Sequence, residues 1–185
     1  MIPAAIGARA VYAYPFQDVK TRAQSYWRDV GTLDAYYEAN LELVFVHPEL
    51  NIYDETWPIW TYQAHLPPAK FVLDEDGRRG MAVNSMIAGG CIISGGIVRD
   101  CVIGRHVYVH AQAELDNCVV FDYCDIGRKA RLRNCILEKN VRIPEGAVIG
   151  YDLDADRKAG YFVTDSGLVI VEGKRTAVEL TKMTL

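Results

Sequence analysis

The sequence has no apolar run near the roughly 18 residues needed to cross a membrane, and its first residues do not resemble a secretory signal peptide. Positive charge is also scarce: 20 lysines and arginines stand against 24 aspartates and glutamates, which gives a net charge of −4. Nucleic-acid-binding proteins need a basic surface, so this class is excluded. These absences predict a cytoplasmic protein with neither membrane nor nucleic acid as a partner.

One line of seventeen residues is present three times. It is "DCVIGRHVYVHAQAELD" from Asp100, then "NCVVFDYCDIGRKARLR", then "NCILEKNVRIPEGAVIG", which ends at Gly150. Six columns are apolar in every line: Cys101/Cys118/Cys135, Ile103/Val120/Leu137, Val107/Cys124/Val141, Val109/Ile126/Ile143, Ala113/Ala130/Ala147 and Leu115/Leu132/Ile149. Apolar residues two apart, followed by a step of four, predict short strands separated by corners. A fixed short period predicts a parallel β-helix of hexapeptide repeats, in which each line is one triangular coil.

The stretch "NSMIAGGCIISGGIVR" has the same composition in poorer register, so we expect about four coils over residues 84–150. The five cysteines include no C-x-x-C pair, and four of them fall on inward columns. A buried free cysteine behaves as a small hydrophobic residue. Packing is therefore the favoured role, with metal binding and disulfides as the alternatives.

The flanking segments have a different composition. Alternating residues 9–16 predict a strand, residues 26–32 a strand end and turn, and the next segment a helix with Thr32 as its N-cap. One strand and one helix cannot close a core, so residues 1–46 are interpreted as the edge of a larger domain. Four prolines indicate an extended linker over residues 47–83. Residues 151–185 are predicted to form a polar loop at 152–158 and a terminal hairpin packed on the β-helix.

In chain order, "YWRDVGTLDAYYEANLEL", "LPPAKFV", "NSMIAGGCIISGG", "RIPEGAVIG" and "SGLVIVEG" resemble the C-terminal part of the bacterial glucose-1-phosphate adenylyltransferase (ADP-glucose pyrophosphorylase) family. The first and third segments are specific to that family, whereas many unrelated proteins carry hexapeptide repeats. The resemblance implies an enzyme that joins ATP and glucose 1-phosphate into ADP-glucose and pyrophosphate with magnesium, for glycogen or starch synthesis. It also implies a tetramer regulated by sugar phosphates and nucleotides.

The family's glycine-rich ATP loop and its basic glucose-1-phosphate segment have no counterpart in this sequence. We therefore expect a mainly β chain: a left-handed parallel β-helix preceded by a remnant of an α/β nucleotidyltransferase domain. The expected role is regulation and oligomerisation, with the missing catalytic domain and a homo-oligomer as partners. Alone, the chain is expected to be inactive and to bind no cofactor.

The resemblance also assigns site residues. Asp29 in "WRDVGT" matches a carboxylate that helps to hold magnesium in the parent enzyme. Magnesium is typically bound by one or two carboxylates together with substrate phosphates. Without the rest of the metal site, the alternative for Asp29 is an exposed aspartate in a turn. Lys139 in "LEKNVRIP" and the Lys174-Arg175 pair match basic effector contacts, and Tyr123 falls where some members place another. The alternative for Lys139 is a solvated lysine on an outward column.

Two other functions stay open at this point. The chain could be a stand-alone hexapeptide-repeat scaffold or regulatory subunit. It could also be a hexapeptide acyltransferase with a catalytic histidine, or a zinc enzyme of the same fold. His106 and His110 share one coil, and the next two coils carry no histidine in the same columns. Zinc needs three converging protein ligands, so we interpret both histidines as surface residues.

Overall fold

The structure is a computed structural model that describes residues 2–17 and 22–173. The helices are α1 Ile2–Ile6, α2 Leu33–Glu42 and α3 Leu153–Lys158. The strands are β1 Lys70–Val72, β2 Asp74–Glu75, β3 Arg78–Arg79, β4 Met81–Val83, β5 Met86–Ile87, β6 Ile92–Ser94, β7 Ile97–Arg99, β8 Val102–Ile103, β9 Tyr108–Val109, β10 Glu114–Val120, β11 Asp125–Ile126, β12 Arg131–Leu137, β13 Arg142–Ile143, β14 Val148–Ile149, β15 Phe162–Val163 and β16 Val169–Val171. None of the helices described is long and apolar enough to cross a membrane.

The strands stack into a parallel β-solenoid with three walls. The first wall is β1-β6-β9-β11-β13, and β4, β7 and β14 form the second with the N-terminal halves of β10 and β12. The third wall joins β5, β8 and β16 to the C-terminal halves of β10 and β12. Leu115 pairs with Leu132 and Cys118 with Cys135, seventeen residues apart. The mainly β prediction and the stack of about four coils are thus confirmed, and the solenoid is consistent with a left-handed β-helix.

Each corner of the triangle is a ladder of residues with positive φ. One ladder consists of Asn84, Asp100, Asn117, Asn134 and Gly150, all with φ between 46° and 81°. Asparagine, aspartate and glycine tolerate this left-handed conformation better than other residues. The need for a left-handed corner therefore explains why each seventeen-residue line begins with Asp or Asn.

The inward cysteines form a hydrogen-bonded column with Ser85. The Cys101 N–H donates to Ser85 Oγ at 3.0 Å, and the Cys118 N–H donates to Cys101 Sγ at 3.3 Å. The Cys101 thiol in turn donates to the Arg99 carbonyl at 2.8 Å. All five cysteines are buried and free, which confirms the packing role. The thiols also satisfy backbone amides next to the corner, a role that the sequence pattern does not reveal.

Stability should fall at alkaline pH because the folded chain keeps these thiols neutral. Burial raises the pKa of Cys101 and Cys118, and it raises the pKa of Cys124 to about 11. In the unfolded chain a thiol ionises near pH 8.5. Above that pH the unfolded state binds fewer protons than the folded state, so the free energy of unfolding decreases as pH rises.

Urea unfolding measured from pH 7 to pH 10 tests this expectation. The denaturation midpoint should be steady up to about pH 8 and then fall. A Cys101→Ser/Cys118→Ser variant keeps hydroxyls at these positions but has two titrating groups fewer, so its alkaline loss should be smaller. A midpoint that does not change up to pH 10, or an equal slope in the variant, would contradict the thiol explanation.

The solenoid begins earlier than the predicted boundary at Asn84. Lys70 pairs with Ile92 across 22 residues, whereas Ile92 pairs with Tyr108 across 16. The six extra residues, 74–79, form the antiparallel hairpin β2–β3, which projects from the coil. This insertion breaks the repeat, so part of the predicted linker 47–83 is in fact the first coil.

The C-terminal end contains an insertion of the same kind. β16 pairs with β12 across two repeat lengths, and α3 and β15 lie in the intervening chain. The predicted loop at 152–158 is largely the helix α3, because the Asp152 side chain caps it by accepting from the Asp154 and Ala155 N–H groups. The predicted hairpin is confirmed: Phe162 pairs with Ile170 in antiparallel register.

The N-terminal segment follows the prediction in part. α2 begins after Thr32, whose Oγ1 accepts the Ala35 N–H at 3.2 Å, so the predicted N-cap is confirmed. The strand predicted at residues 9–16 is not a strand here, and Tyr12 and Tyr14 are each 89% exposed. A strand with no neighbour to pair with has no partner for its backbone groups.

α2 packs against the outside of the third wall. Its Tyr36, Tyr37 and Leu41 contact a cluster formed by Val119, Ile136, Leu168, Ile170 and Phe121. The Tyr37 hydroxyl donates to the Asn117 carbonyl at 2.7 Å. Although the helix cannot close a core by itself, the β-solenoid supplies the missing apolar surface. The column Val102/Val119/Ile136, apolar in every repeat although it faces outward, was the sequence signal for this contact.

Candidate functional site

Lys139 lies at a cavity of about 250 Å³ between α2 and the third wall. Tyr36 and Asn40 line the cavity from α2, and Phe121 and Asp122 line it from the solenoid. The cavity therefore has largely apolar walls, one cation in Lys139 and one carboxylate in Asp122, and Lys139 is the group that can attract a negative charge.

Tyr123 and Lys139, both assigned to effector contacts by the resemblance, lie side by side in the structure. The Lys139 Nζ lies 5.5 Å from the centre of the Tyr123 ring. Tyr123 also stacks on His106, with the ring centres 4.9 Å apart and nearly parallel. Both rings stand on one corner ladder, because His106 and Tyr123 both have positive φ. Lys139 thus lies beside a stacked pair of aromatic rings.

A second cation is fixed close by. Arg105 holds Asp122 through its side chain at 2.6 Å and through its backbone N–H at 2.8 Å. Burial acts to raise the pKa of Asp122, but the hydrogen bonds and charge of Arg105, with the charge of Lys139, outweigh it and lower the pKa. The carboxylate therefore stays ionised and offsets part of the positive charge around Lys139.

The chain after β16 runs toward the same place. The Gly173 N–H donates to Glu138 Oε2 at 3.1 Å, and a Cβ on Gly173 would lie 2.5 Å from the Lys139 carbonyl oxygen. The predicted contacts Lys174 and Arg175 follow immediately but lie outside the described residues. The described chain thus leads to Lys139, and the effector assignment of the pair stays a prediction.

Asp29 lies in an exposed turn. Its Oδ1 accepts the Gly31 N–H at 2.9 Å. Among the described residues, no group of three or more His, Cys, Asp or Glu side chains could hold a metal ion. Asp29 offers one carboxylate, which fits magnesium only where substrate phosphates supply other ligands.

The segment around Asp29 is attached to α2 and to the hairpin. Arg28 lies 3.1 Å from Glu42 at the end of α2. At the start of α2, Asp34 Oδ1 accepts from the Thr164 hydroxyl at 3.0 Å and from the Ser166 hydroxyl. No sequence pattern indicates this contact, because Asp34 and Thr164 are 130 positions apart.

The two histidines contact different neighbours. His110 Nε2 lies 2.7 Å from Asp125 Oδ1 and its ring meets Tyr108 edge-on, whereas His106 stacks on Tyr123. The structure does not bring the pair to a common ligand position. This arrangement favours the surface interpretation over a zinc site shared by the two histidines.

The chain is similar to known proteins over most of its length. Residues 67–171 match the family model described as "GlmU-like, C-terminal hexapeptide". The chain is 48% identical over 171 residues to a glucose-1-phosphate adenylyltransferase of Koribacter versatilis, covering 92% of the chain and 41% of that relative. Those of Teredinibacter turnerae and Nitrosococcus oceani are both 50% identical, covering 92% and 87% of the chain and 41% and 38% of each relative. The chain thus spans about 40% of the length of these relatives and matches their C-terminal part.

Proposed function

Since the chain belongs to the GlmU-like, C-terminal hexapeptide family and is 48–50% identical to glucose-1-phosphate adenylyltransferases, we propose that it is the C-terminal regulatory and assembly part of such an enzyme. The whole enzyme would join ATP and glucose 1-phosphate into ADP-glucose and pyrophosphate, which feeds glycogen or starch synthesis. It would work in the cytoplasm as a homo-oligomer, a tetramer by family resemblance. Neither nucleic acid nor membrane is among the proposed partners.

The observation that carries this proposal is the packing of α2 on the third wall. The "WRDVGT" segment, which resembles the edge of the catalytic domain, continues directly into α2. Tyr36, Tyr37 and Leu41 then fix α2 to the solenoid. A β-helix held this firmly to a catalytic segment can influence catalysis without supplying reacting groups.

The proposed cofactor of the whole enzyme is magnesium. Asp29 would hold it, together with substrate phosphates and residues of the catalytic domain. The metal would neutralise charge that develops on the phosphates during transfer. Asp29 Oδ1 accepts the Gly31 N–H, so Asp29 Oδ2 would be the oxygen that binds the metal.

The proposed effector is a phosphate ester, either a sugar phosphate or a nucleotide. Lys139 stands at the cavity edge beside the Tyr123 ring, and the described chain leads to Lys174 and Arg175 from Gly173. Two or three cations would hold a phosphate through charge-assisted hydrogen bonds, each worth about 1.5–3 kcal/mol. The aromatic pair Tyr123 and His106 offers a flat surface for the rest of the ligand.

Replacing Lys139 should weaken effector activation in the full-length enzyme. Loss of one charge-assisted bond in Lys139→Ala should raise the activation constant about ten- to hundredfold. The measurement is the rate of ADP-glucose formation against inorganic phosphate, fructose 6-phosphate and AMP, using whichever changes the wild-type rate. Lys158→Ala, an exposed lysine in the last turn of α3, is the matched control and should change nothing. An unmoved activation constant in Lys139→Ala would remove the effector assignment.

A further inference from the structure

α2 is held at its first turn by three side chains, Asp34, Thr164 and Ser166, which we call the latch. The Thr164 hydroxyl lies 3.0 Å from Asp34 Oδ1, and the Ser166 hydroxyl donates to the same oxygen. The two hydroxyl oxygens are 2.8 Å apart. Thr164 is only 9% exposed, and its Oγ1 also accepts the Leu168 N–H at 3.2 Å. Two of the three latch residues, Thr164 and Ser166, therefore belong to the turn of the β15–β16 hairpin.

The donor and acceptor groups of the latch fix the direction of its hydrogen bonds. Each hydroxyl has one proton to donate, and the carboxylate of Asp34 only accepts, so both protons can be directed at the same oxygen. Hydrogen bonds to a charged acceptor are shorter and stronger than neutral ones. Asp34 also lies in the first turn of α2, where a negative charge is favoured by the helix dipole. The latch therefore fixes the position of the start of α2.

One short segment connects the latch to the Lys139 site. The segment begins at Thr164 and Ser166 and continues through β16. It ends at Gly173, whose N–H donates to the Glu138 carboxylate. β16 is buried and pairs in parallel register with β12, which keeps the segment rigid. The segment between the latch and the chain around Lys139 is therefore a packed strand rather than a loose loop.

The latch is also close to Asp29, because Asp34 follows it by five residues in the chain. Asp34 is the second residue of α2, Thr32 is the N-cap, and the Asp29 turn closes on Gly31. α2 also reaches the cavity itself, which Tyr36 and Asn40 line. The helix therefore touches the Lys139 site on one side and continues into the Asp29 turn at its start.

We infer that the latch positions the Asp29 turn against the β-solenoid, and that it links occupancy of the Lys139 site to the metal affinity of Asp29. In this inference Asp34, Thr164 and Ser166 are positioning residues, because they would act through Asp29. The inference rests on the proposed function, since it assigns metal binding to Asp29 and an effector to Lys139. It adds the route by which these two sites are connected.

The test uses the full-length enzyme with Asp34→Asn, Thr164→Val and the milder Ser166→Ala. Rates are measured against Mg²⁺, with and without the effector that activates the wild type among inorganic phosphate, fructose 6-phosphate and AMP. Each loss of a charge-assisted bond should raise the apparent Mg²⁺ constant about tenfold. The effector should still bind by calorimetry, but its effect on the Mg²⁺ constant should be largely lost.

Two variants separate positioning from general loss of structure. Thr164→Ser keeps the hydroxyl and should retain the wild-type Mg²⁺ constant. Asp54→Asn removes an exposed carboxylate whose bonding partners among the described residues are Thr56 and Trp57, and it should change neither constant. Circular dichroism shows whether each variant keeps the solenoid, and Ser166→Ala is informative even if Asp34→Asn does not fold.

The outcomes are distinguishable. Unchanged Mg²⁺ constants and unchanged activation in folded latch variants overturn the inference, and so does a Thr164→Ser variant that behaves like Thr164→Val. If the wild type binds none of the three probes, the effector assignment fails. The Mg²⁺ titration without effector still decides the positioning role, because it does not depend on Lys139.

Discussion

The isolated chain is expected to form no ADP-glucose, whereas the full-length enzyme turns over under the same conditions. Phosphoryl and nucleotidyl transfers draw most of their rate from positioning and from electrostatic stabilisation of the phosphates. Loss of these contributions removes an acceleration of at least about a millionfold. A chain that holds only Asp29 of the proposed metal site supplies almost none of them.

The glycines of the chain support this expectation. A loop that cradles triphosphate needs glycines whose backbone N–H groups are free to point at the ligand. The two glycine pairs at 89–90 and 95–96 lie at solenoid corners instead, where Gly90 and Gly95 adopt positive φ. Their N–H groups donate to the Pro67 and Val72 carbonyls of the preceding coil. These glycines are therefore structural and do not form a nucleotide loop.

The measurement is pyrophosphate release from ATP and glucose 1-phosphate in the presence of Mg²⁺. Full-length enzyme serves as the positive control, and full-length Asp29→Asn shows how much activity depends on that carboxylate. We expect the isolated chain to match the rate without enzyme. A turnover near one per second (the low end of ordinary enzyme rates) would show that the chain contains a complete site and that the proposed division of roles is wrong.

The solenoid could be predicted from the sequence because the residues that specify each coil are close together and recur in every line. The alternation within each line fixes the strands, and Asn117 and Asn134 mark a corner by a residue type that tolerates positive φ. The first coil was missed because the hairpin at 74–79 adds six residues to it. The insertion leaves the geometry of the first coil intact, but it puts Lys70–Val72 out of register with the repeat lines that follow.

The contacts of α2 could not be predicted in the same way. The helical period of α2 and its N-cap at Thr32 depend on neighbouring residues, but the residues that α2 contacts are distant in the sequence. Tyr37 bonds Asn117, and Asp34 bonds Thr164, 80 and 130 residues along the chain. The predicted site is similar: Lys139 and Tyr123 meet because they lie one coil apart, which the repeat does imply. Where Lys174 and Arg175 lie relative to them stays a prediction.

Gly150→Ala should destabilise the end of the solenoid more than any other single glycine change near it. Gly150 has φ of 81°, and a Cβ there would lie 1.7 Å from the Arg133 carbonyl oxygen. That oxygen belongs to β12, a backbone held on both sides by its neighbours, so it cannot move aside. The left-handed conformation alone costs about 1 kcal/mol, and the overlap with the Arg133 carbonyl oxygen adds to it.

The chain offers a matched control in Gly146→Ala. Gly146 also has positive φ, 70°, but nothing lies within 4 Å of its missing Cβ. This variant should lose only about 1 kcal/mol, the usual cost of placing alanine where glycine adopts a left-handed conformation. The difference in unfolding free energy between the two variants therefore measures the cost of the close approach between Gly150 and the Arg133 carbonyl oxygen.

The loss at Gly150 should spread to the elements that the latch depends on. The Gly150 N–H donates to the buried Asp156 carboxylate at 2.9 Å, and this bond ties α3 to the last corner. α3 packs on β15, which pairs with β16, so displacing Gly150 loosens the hairpin that carries Thr164. Urea unfolding followed by circular dichroism should show a loss above about 3 kcal/mol for Gly150→Ala, and hydrogen exchange should rise first at the β16 amides. Equal losses in Gly150→Ala and Gly146→Ala, with β16 still protected in both, would show that this corner has room for a side chain and that the last coil is not the support of the hairpin.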